Sequence, residues 1–244
     1  MRVLLSAFLL ATLGFGGVAA ATPITVNNPS FEAGVLTCAG GPSCFAINNI
    51  PAWVASSMGT TSTFKPSIGA PPSGEFSSIP DGVNVAAIGP ASGGANISQT
   101  LAATVQANTL YTLDVSVGAR ADFLFSQYTI TLEAGGTVLA SDSSLDPAAG
   151  SFLTDTITFF SGPTPTTLGQ SLEIELSATG LSAPGGTAAQ ADFDKVLLDA
   201  SPTTSIPEPG TFLLLGTTCI GLLGYRCLRR RPTVRIVLDS ITDP

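Results

Sequence analysis

The feature that most constrains this chain is a set of short stretches in which apolar and polar residues alternate. In Tyr111-Thr112-Leu113-Asp114-Val115-Ser116-Val117-Gly118, the residues Tyr111, Leu113, Val115 and Val117 point one way, and Thr112, Asp114 and Ser116 the other. That period of two is the mark of a half-buried strand. Tyr128–Leu132 repeats it, and Gly135-Gly136 then turns the chain into Thr137–Ala140, a predicted hairpin. Ile157 and Phe159 share a face within Asp155–Phe160, and Leu172, Ile174 and Leu176 alternate with Glu173 and Glu175. Ala191–Leu198 reads as the last strand; Phe193 and Val196 both face inward there only if a bulge intervenes. Ile24–Asn27, Ala52–Ala55, Val83–Ile88 and Asn96–Leu101 are weaker candidates. No sustained 3.6-residue apolar period occurs outside the two chain ends. Roughly eight to eleven strands with Gly, Pro, Ser and Asn turns predict an all-β fold, an antiparallel sandwich. Gly59–Pro80, rich in Ser, Thr, Pro and Gly, reads as a long surface loop.

The ends read as addresses. Residues 1–21 carry Arg2, an apolar run from Val3 to Leu13 and a small-residue close at Val18-Ala19-Ala20. This predicts a signal peptide cut after Ala20 or Ala21; the alternative, an N-terminal anchor, needs a longer apolar core. Residues 22–202 form the ectodomain, 203–210 a linker, 211–228 a transmembrane helix and 229–244 a basic cytoplasmic tail. The apolar stretch Thr211–Tyr225 is short for a bilayer, but Leu228 lengthens it and Arg226 can snorkel. The arginines that follow hold that end in the cytoplasm.

Residues 206–231, IPEPGTFLLLGTTCIGLLGYRCLRRR, resemble the PEP-CTERM sorting signal of Gram-negative bacteria: a Pro-Glu-Pro motif, an apolar helix and a basic cluster. The alternative is an ordinary tail anchor. The resemblance implies recognition of Pro207, Glu208 and Pro209 by an exosortase. It implies a membrane-held intermediate with Arg226, Arg229, Arg230 and Arg231 as its basic anchor, then release to the cell surface or outside. Signal peptidase, exosortase and the membrane are the expected partners, with extracellular polysaccharide beside them. The chain departs from the pattern by continuing as Pro232–Pro244.

Charge and cysteine follow this topology. Residues 22–205 hold three basic residues, Lys65, Arg120 and Lys195, against 14 acidic ones, a net of −11. That disfavours nucleic acid as a partner. The chain has no histidine, which excludes the Ser-His-Asp arrangement and His-ligated zinc. Cys38 and Cys44 predict one disulfide in an exported chain; a metal pair is the alternative.

Asn28-Pro29-Ser30-Phe31-Glu32 opens the ectodomain and Asp192-Phe193-Asp194-Lys195-Val196 closes it. These ends are similar to those of galactose-binding-like jelly rolls, which include carbohydrate-binding modules. The resemblance implies a structural calcium ion held by Glu32 and Asp194, since calcium wants hard oxygen ligands. The bland reading is a turn cap and a solvated strand residue.

Trp53, the single tryptophan, is either a core residue or a platform for a sugar ring. Phe123, Phe125 and Tyr128 follow Arg120 and Asp122; they form a binding rim or return the chain to the core. Arg120 and Asp122 are candidate ligand contacts, or a local ion pair. Glu173 and Glu175 share one strand face and read as solvated. No Gly-x-Ser-x-Gly elbow, phosphate loop or dinucleotide fingerprint occurs. The expectation is a non-catalytic surface or biofilm-matrix protein with weak glycan binding. A carboxylate-based hydrolase and a self-associating structural protein are the competing classes.

Overall fold

The computed structural model describes residues 20–34, 36, 38, 41, 43–56, 60–89, 95–178 and 189–203. All of them belong to one compact unit, Val18–Thr204. The expected signal peptide (but for its last two residues), the Pro-Glu-Pro motif at Pro207–Pro209, the transmembrane helix and the arginine cluster lie outside the described residues.

The described residues form thirteen strands and no helix. They are β1 (Thr22–Ile24), β2 (Cys44–Ile47), β3 (Val54–Ala55), β4 (Thr60–Lys65), β5 (Val85–Gly89), β6 (Ala95–Thr104) and β7 (Thr109–Ala119). Then follow β8 (Leu124–Phe125), β9 (Tyr128–Ala134), β10 (Thr137–Asp142), β11 (Ser151–Phe160), β12 (Ser171–Ala178) and β13 (Ala189–Pro202). One sheet runs β11-β7-β13-β5-β4-β2, with β1 and β8 also paired to β13. The other runs β10-β9-β12-β6-β3. Pairing is antiparallel except between β8 and β13. The expected antiparallel β-sandwich is what forms.

The alternation sets the core. Tyr111, Leu113, Val115 and Val117 of β7 are buried in one apolar cluster with Ile130 and Leu132 of β9 and Leu172, Ile174 and Leu176 of β12. The turn at Gly135 and Gly136 has φ of 56° and 77°, the two positive values that a tight hairpin turn requires. The β13 bulge is present too. The register with β7 shifts between Asp194 and Leu197, and Lys195 takes φ 48°. Phe193 and Val196 are both fully buried as a result.

The reading of Gly59–Pro80 as a surface loop is corrected. Its first part is β4, an inner strand between β2 and β5. Thr61 and Thr63 are fully buried there, and Thr63 Oγ1 donates to the Asn49 carbonyl at 2.7 Å. Buried hydroxyl side chains of this kind hide a strand from an apolar pattern; that of Thr61 finds no hydrogen-bond partner among the described residues. The rest folds back over the outer face of the larger sheet. Ser77 N–H donates to the Gly150 carbonyl at 2.9 Å, and Ala121 N–H to the Glu75 carbonyl at 3.0 Å. Beneath this segment Phe64, Phe76, Val85 and Ala87 form a second apolar cluster.

Tyr128 of β9 clasps the two sheets. Its hydroxyl donates to Asp155 Oδ2 of β11 at 2.6 Å and accepts from Leu145 N–H at 3.0 Å. Tyr128→Phe strands the buried Asp155 carboxyl and the half-buried Leu145 N–H, at about 1–3 kcal/mol for the first and less for the second. A urea titration of the purified chain should show a loss of at least about 1 kcal/mol; a smaller loss would mean that the clasp is dispensable.

Candidate active site

The site follows from the parity of β13. Ala191 and Phe193 point into the sandwich, so Gln190, Asp192 and Asp194 point to the outer face. An outer face normally meets water. Here the segment after β4 covers it, and Asp192 and Asp194 are fully buried while Gln190 is nearly so.

Asp192 pairs in register with Ala87 of β5 and Gly118 of β7. Gly118 has no side chain, and the ring of Phe152 takes the space a Cβ would need. Gln190 Nε2 donates to Asp192 Oδ1 at 2.7 Å. Asp192 Oδ2 is buried with no hydrogen-bond partner among the described residues. Burial pushes the Asp192 carboxyl up to about 8; Gln190 and Arg120 pull it down, while Glu75 and Asp122 push it further up. The acid therefore keeps its proton at neutral pH.

Arg120 closes the end of β7. Its Nη2 reaches Glu75 Oε1 at 2.6 Å and Asp122 Oδ2 at 2.9 Å, and its Nε reaches Asp122 Oδ1 at 3.1 Å. Nη1 faces Gln190 Oε1 at 3.5 Å. The guanidinium carbon lies 4.4 Å from the Phe64 ring centroid and 4.3 Å from that of Phe123. Both contacts are within cation–π range. Phe45, Phe64, Ala87, Arg120, Phe123 and Gln190 contribute to the wall of a cavity of about 140 Å³. Asp192 sits behind that wall, at Gln190 and Ala87. Among the described residues, the arrangement offers a small cavity with three aromatic rings and one cation in its wall, and one protonated acid behind it.

The other candidates fall elsewhere. Trp53 is in the core: it packs against Phe31 with centroids 5.6 Å apart and donates from Nε1 to the Asn28 carbonyl at 3.2 Å. It lies just before β3 and is buried in the main apolar cluster, so the ring fills the sandwich rather than facing a ligand. Of the proposed rim, Phe123 reaches the cavity, whereas Tyr128 is core. Cys38 and Cys44 are bonded to each other, with Cα atoms 5.3 Å apart. Glu173 lies opposite Glu133 across β12 and β9, and Glu175 accepts from Asn96 Nδ2 at 2.9 Å. A cavity of about 350 Å³ beside β1 is lined largely by aliphatic groups such as Ile24, Val26 and Leu198, and among the described residues no buried acid lines it.

Glu32 and Asp194 both grip the segment before β5. Glu32 Oε1 accepts from Val83 and Asn84 N–H at 2.7 and 2.6 Å. Asp194 accepts from Asp81 and Lys195 N–H at 2.9 and 2.7 Å. Burial, and then the charges of Asp81 and Glu32, push Asp194 up to about 7 against these two hydrogen bonds. These are hard oxygen donors in a negative environment, which suits calcium in kind. Among the described residues no group of three His, Cys, Asp or Glu side chains is arranged to hold a metal.

Sequence reasoning singled out Arg120 and Asp122 and missed Glu75, Phe64, Gln190 and Asp192 as partners. The parity of β13 carried the signal for Gln190 and Asp192. Nothing local marked the segment that buries them.

No curated protein matches the chain. Residues 205–231 match the PEP-CTERM protein-sorting motif, which implies export and exosortase processing of a membrane-held intermediate. Residues 22–199 match the HpiC1 cyclase family. Among solved structures, the chain is similar to the Stig cyclase Fisc from Fischerella sp. TAU in complex with (3Z)-3-(1-methyl-2-pyrrolidinylidene)-3H-indole. Identity is 30%, 75% of this chain and 100% of that one are covered, and the TM-score is 0.64. It is similar to a cyclase from Fischerella sp. TAU at 29% identity, 76% and 100% coverage and TM-score 0.65. A complex of a cyclase from Fischerella sp. TAU with 4-(1H-indol-3-yl)butan-2-one matches at 28% identity, 75% and 100% coverage and TM-score 0.63. These matches overturn the expectation of a non-catalytic protein, because a cyclase is an enzyme. A sandwich with a histidine-free site hid that class from motif reasoning. The chain belongs to the HpiC1-like cyclase family, joined to a PEP-CTERM sorting tail.

Proposed function

We propose that this chain is an exported cyclase that closes a ring on a small substrate bearing an aromatic group, with Asp192 as the proton donor. The observation that carries this reading is a fully buried carboxyl with one unpartnered oxygen, beside an aromatic cavity. The cavity is smaller than the roughly 300–1,000 Å³ of common ligand sites. Swinging the Gln190 side chain aside enlarges it and puts the acid on its wall. The indole ligands named for the Fischerella cyclases support a flat aromatic of that size.

The chemistry balances without net oxidation. The Asp192 carboxyl gives its proton to an unsaturated carbon, leaving a cation. An internal π bond attacks that cation and forms the ring. A proton then leaves the ring for the Asp192 carboxylate, so substrate and product are isomers and the acid is restored. Phe64 and Phe123 turn faces to the Arg120 guanidinium, and Glu75 and Asp122 leave that cluster with a net negative charge, which favours a transient cation beside it.

In the same reading, the signal peptide exports the chain and the helix at 211–228 holds it until cleavage near Pro207-Glu208-Pro209 releases the enzyme. Calcium serves as a structural ion between Glu32 and Asp194.

Three outcomes are expected. Asp192→Asn should lower turnover of a 3-substituted indole substrate by about a hundredfold or more, the usual share of a general acid, with little change in KM. Full activity in that variant would remove Asp192 from the reaction.

The second outcome is linked to pH. Folded Asp192 keeps its proton up to about pH 8, whereas an unfolded aspartate loses it near pH 3.9. Between those values the unfolded state binds fewer protons. Stability therefore falls as pH rises through this window, by at most about 1.4 kcal/mol per unit. Urea midpoints of Asp192→Asn should fall less steeply with pH than those of the wild type, because only the share of Asp194 and the other raised carboxyls remains; parallel curves would contradict it.

Third, calcium at a hundredfold excess over its Kd should add about 2.7 kcal/mol of stability. The gain in Tm should be larger at pH 8 than at pH 6, because Asp194 must lose its proton first. Glu32→Gln should abolish the gain; equal melting with calcium and with chelator would remove the ion.

A further inference from the structure

Among the described residues, Arg120 is the one cation in the wall of the aromatic cavity; it is one of three basic residues between 22 and 205. Its two acidic partners differ in kind. Glu75 is anchored: its side chain is 13% exposed, and its other oxygen accepts from Ser67 N–H at 2.7 Å. Asp122 is half exposed, at 50%, and lies two residues along the chain. It meets Nε and Nη2 with both oxygens, the two-point geometry with which a guanidinium takes any planar carboxylate.

An ion pair with one partner in water contributes little. Asp122 can therefore leave Arg120 at small cost and return to solvent, while Glu75 keeps the guanidinium in place. The surroundings offer room for an apolar body beside that fork. Phe45 pairs across strands with Phe64 and is 60% exposed. Phe123 covers one face of the guanidinium, and Leu124 next to it is 45% exposed. A cationic ligand would have to face Arg120 across the same rings.

We propose that this site takes a flat apolar acid, whose carboxylate replaces that of Asp122 on Arg120 while its body lies against Phe45 and Phe123. This rests on the cavity being the substrate site, and it names the class of substrate. No covalent bond forms or breaks in the exchange. Neither ligand named for the Fischerella cyclases carries a carboxylate, so Arg120 would give this chain a different selectivity within the same family.

The test is isothermal titration of the full chain, solubilised from membranes, at neutral pH. The probes are 4-(1H-indol-3-yl)butan-2-one, the acid with a carboxylate in place of its acetyl group, and the corresponding primary amine. The wild type should bind the acid about tenfold tighter than the ketone, and the amine most weakly. Asp122→Ala, at an exposed position, should tighten the acid about threefold and leave the ketone unchanged. Arg120→Met should erase the preference for the acid. If that variant fails to fold, Asp122→Ala carries the test alone. Ketone or amine binding as tightly as the acid, or a weaker acid in Asp122→Ala, overturns the proposal. Binding of none of the three to either folded protein overturns the cavity as a substrate site as well.

Discussion

The contact between Glu75 and Arg120 is the one on which the outer face of the larger sheet depends. Glu75 lies on the segment that folds back after β4, and Arg120 follows the last residue of β7. Their 2.6 Å ion pair fastens the first over the second. A pair this buried gains stability only if its geometry is good and its remaining donors are satisfied. Here Asp122, Gln190 and two aromatic faces meet those donors. Without the latch, Asp192 and Asp194 would be ordinary carboxylates on a wet sheet face. With it, they lie in a low-dielectric layer, and their proton affinity rises for that reason.

Much of the sandwich was legible in the sequence because period two is a local property. Tyr111–Val117, Tyr128–Leu132 and Leu172–Leu176 each state which face is core. The β13 bulge was legible as well, since Phe193 and Val196 cannot share a face of a regular strand. β4 was not. TTSTFK carries hydroxyl groups where an apolar pattern would put branched carbons, and only the contact with Asn49 shows how that of Thr63 is satisfied. The site was half legible for a related reason. Arg120 and Asp122 sit two residues apart, within reach of local reasoning. Glu75 and Gln190 come to Arg120 across 45 and 70 residues. A single sequence carries no trace of such separations.

The enzyme class was missed for a different reason. Familiar hydrolytic motifs are local constellations of nucleophile and base. Here the chemistry-bearing group is one aspartate whose only distinction is its surroundings. Asp192 and Asp199 are the same residue type on the same strand. One is sealed under an aromatic layer with an unpartnered oxygen; the other pairs with Thr112 of β7 and Pro23 of β1 at the far end. Environment alone separates a candidate acid from a solubilising charge.

The pairing of β1 with β13 has a mechanical side. Thr22 lies opposite Ala200, and Ile24 opposite Leu198. The first and last strands of the domain thus meet in an antiparallel ladder whose outer rung joins the two points where the chain enters and leaves. Tension applied through both ends would open that ladder from its outer rung inward, one rung at a time, like a zipper. A load shared in shear across all rungs would need the ends at opposite poles. Behind the third rung waits the bond from Val196 N–H to the Pro29 carbonyl, 2.9 Å long, at the bulge. A pull on both ends would therefore part β1 from the C-terminal half of β13 first, and reach the bulge and Asp192 beyond it only afterwards.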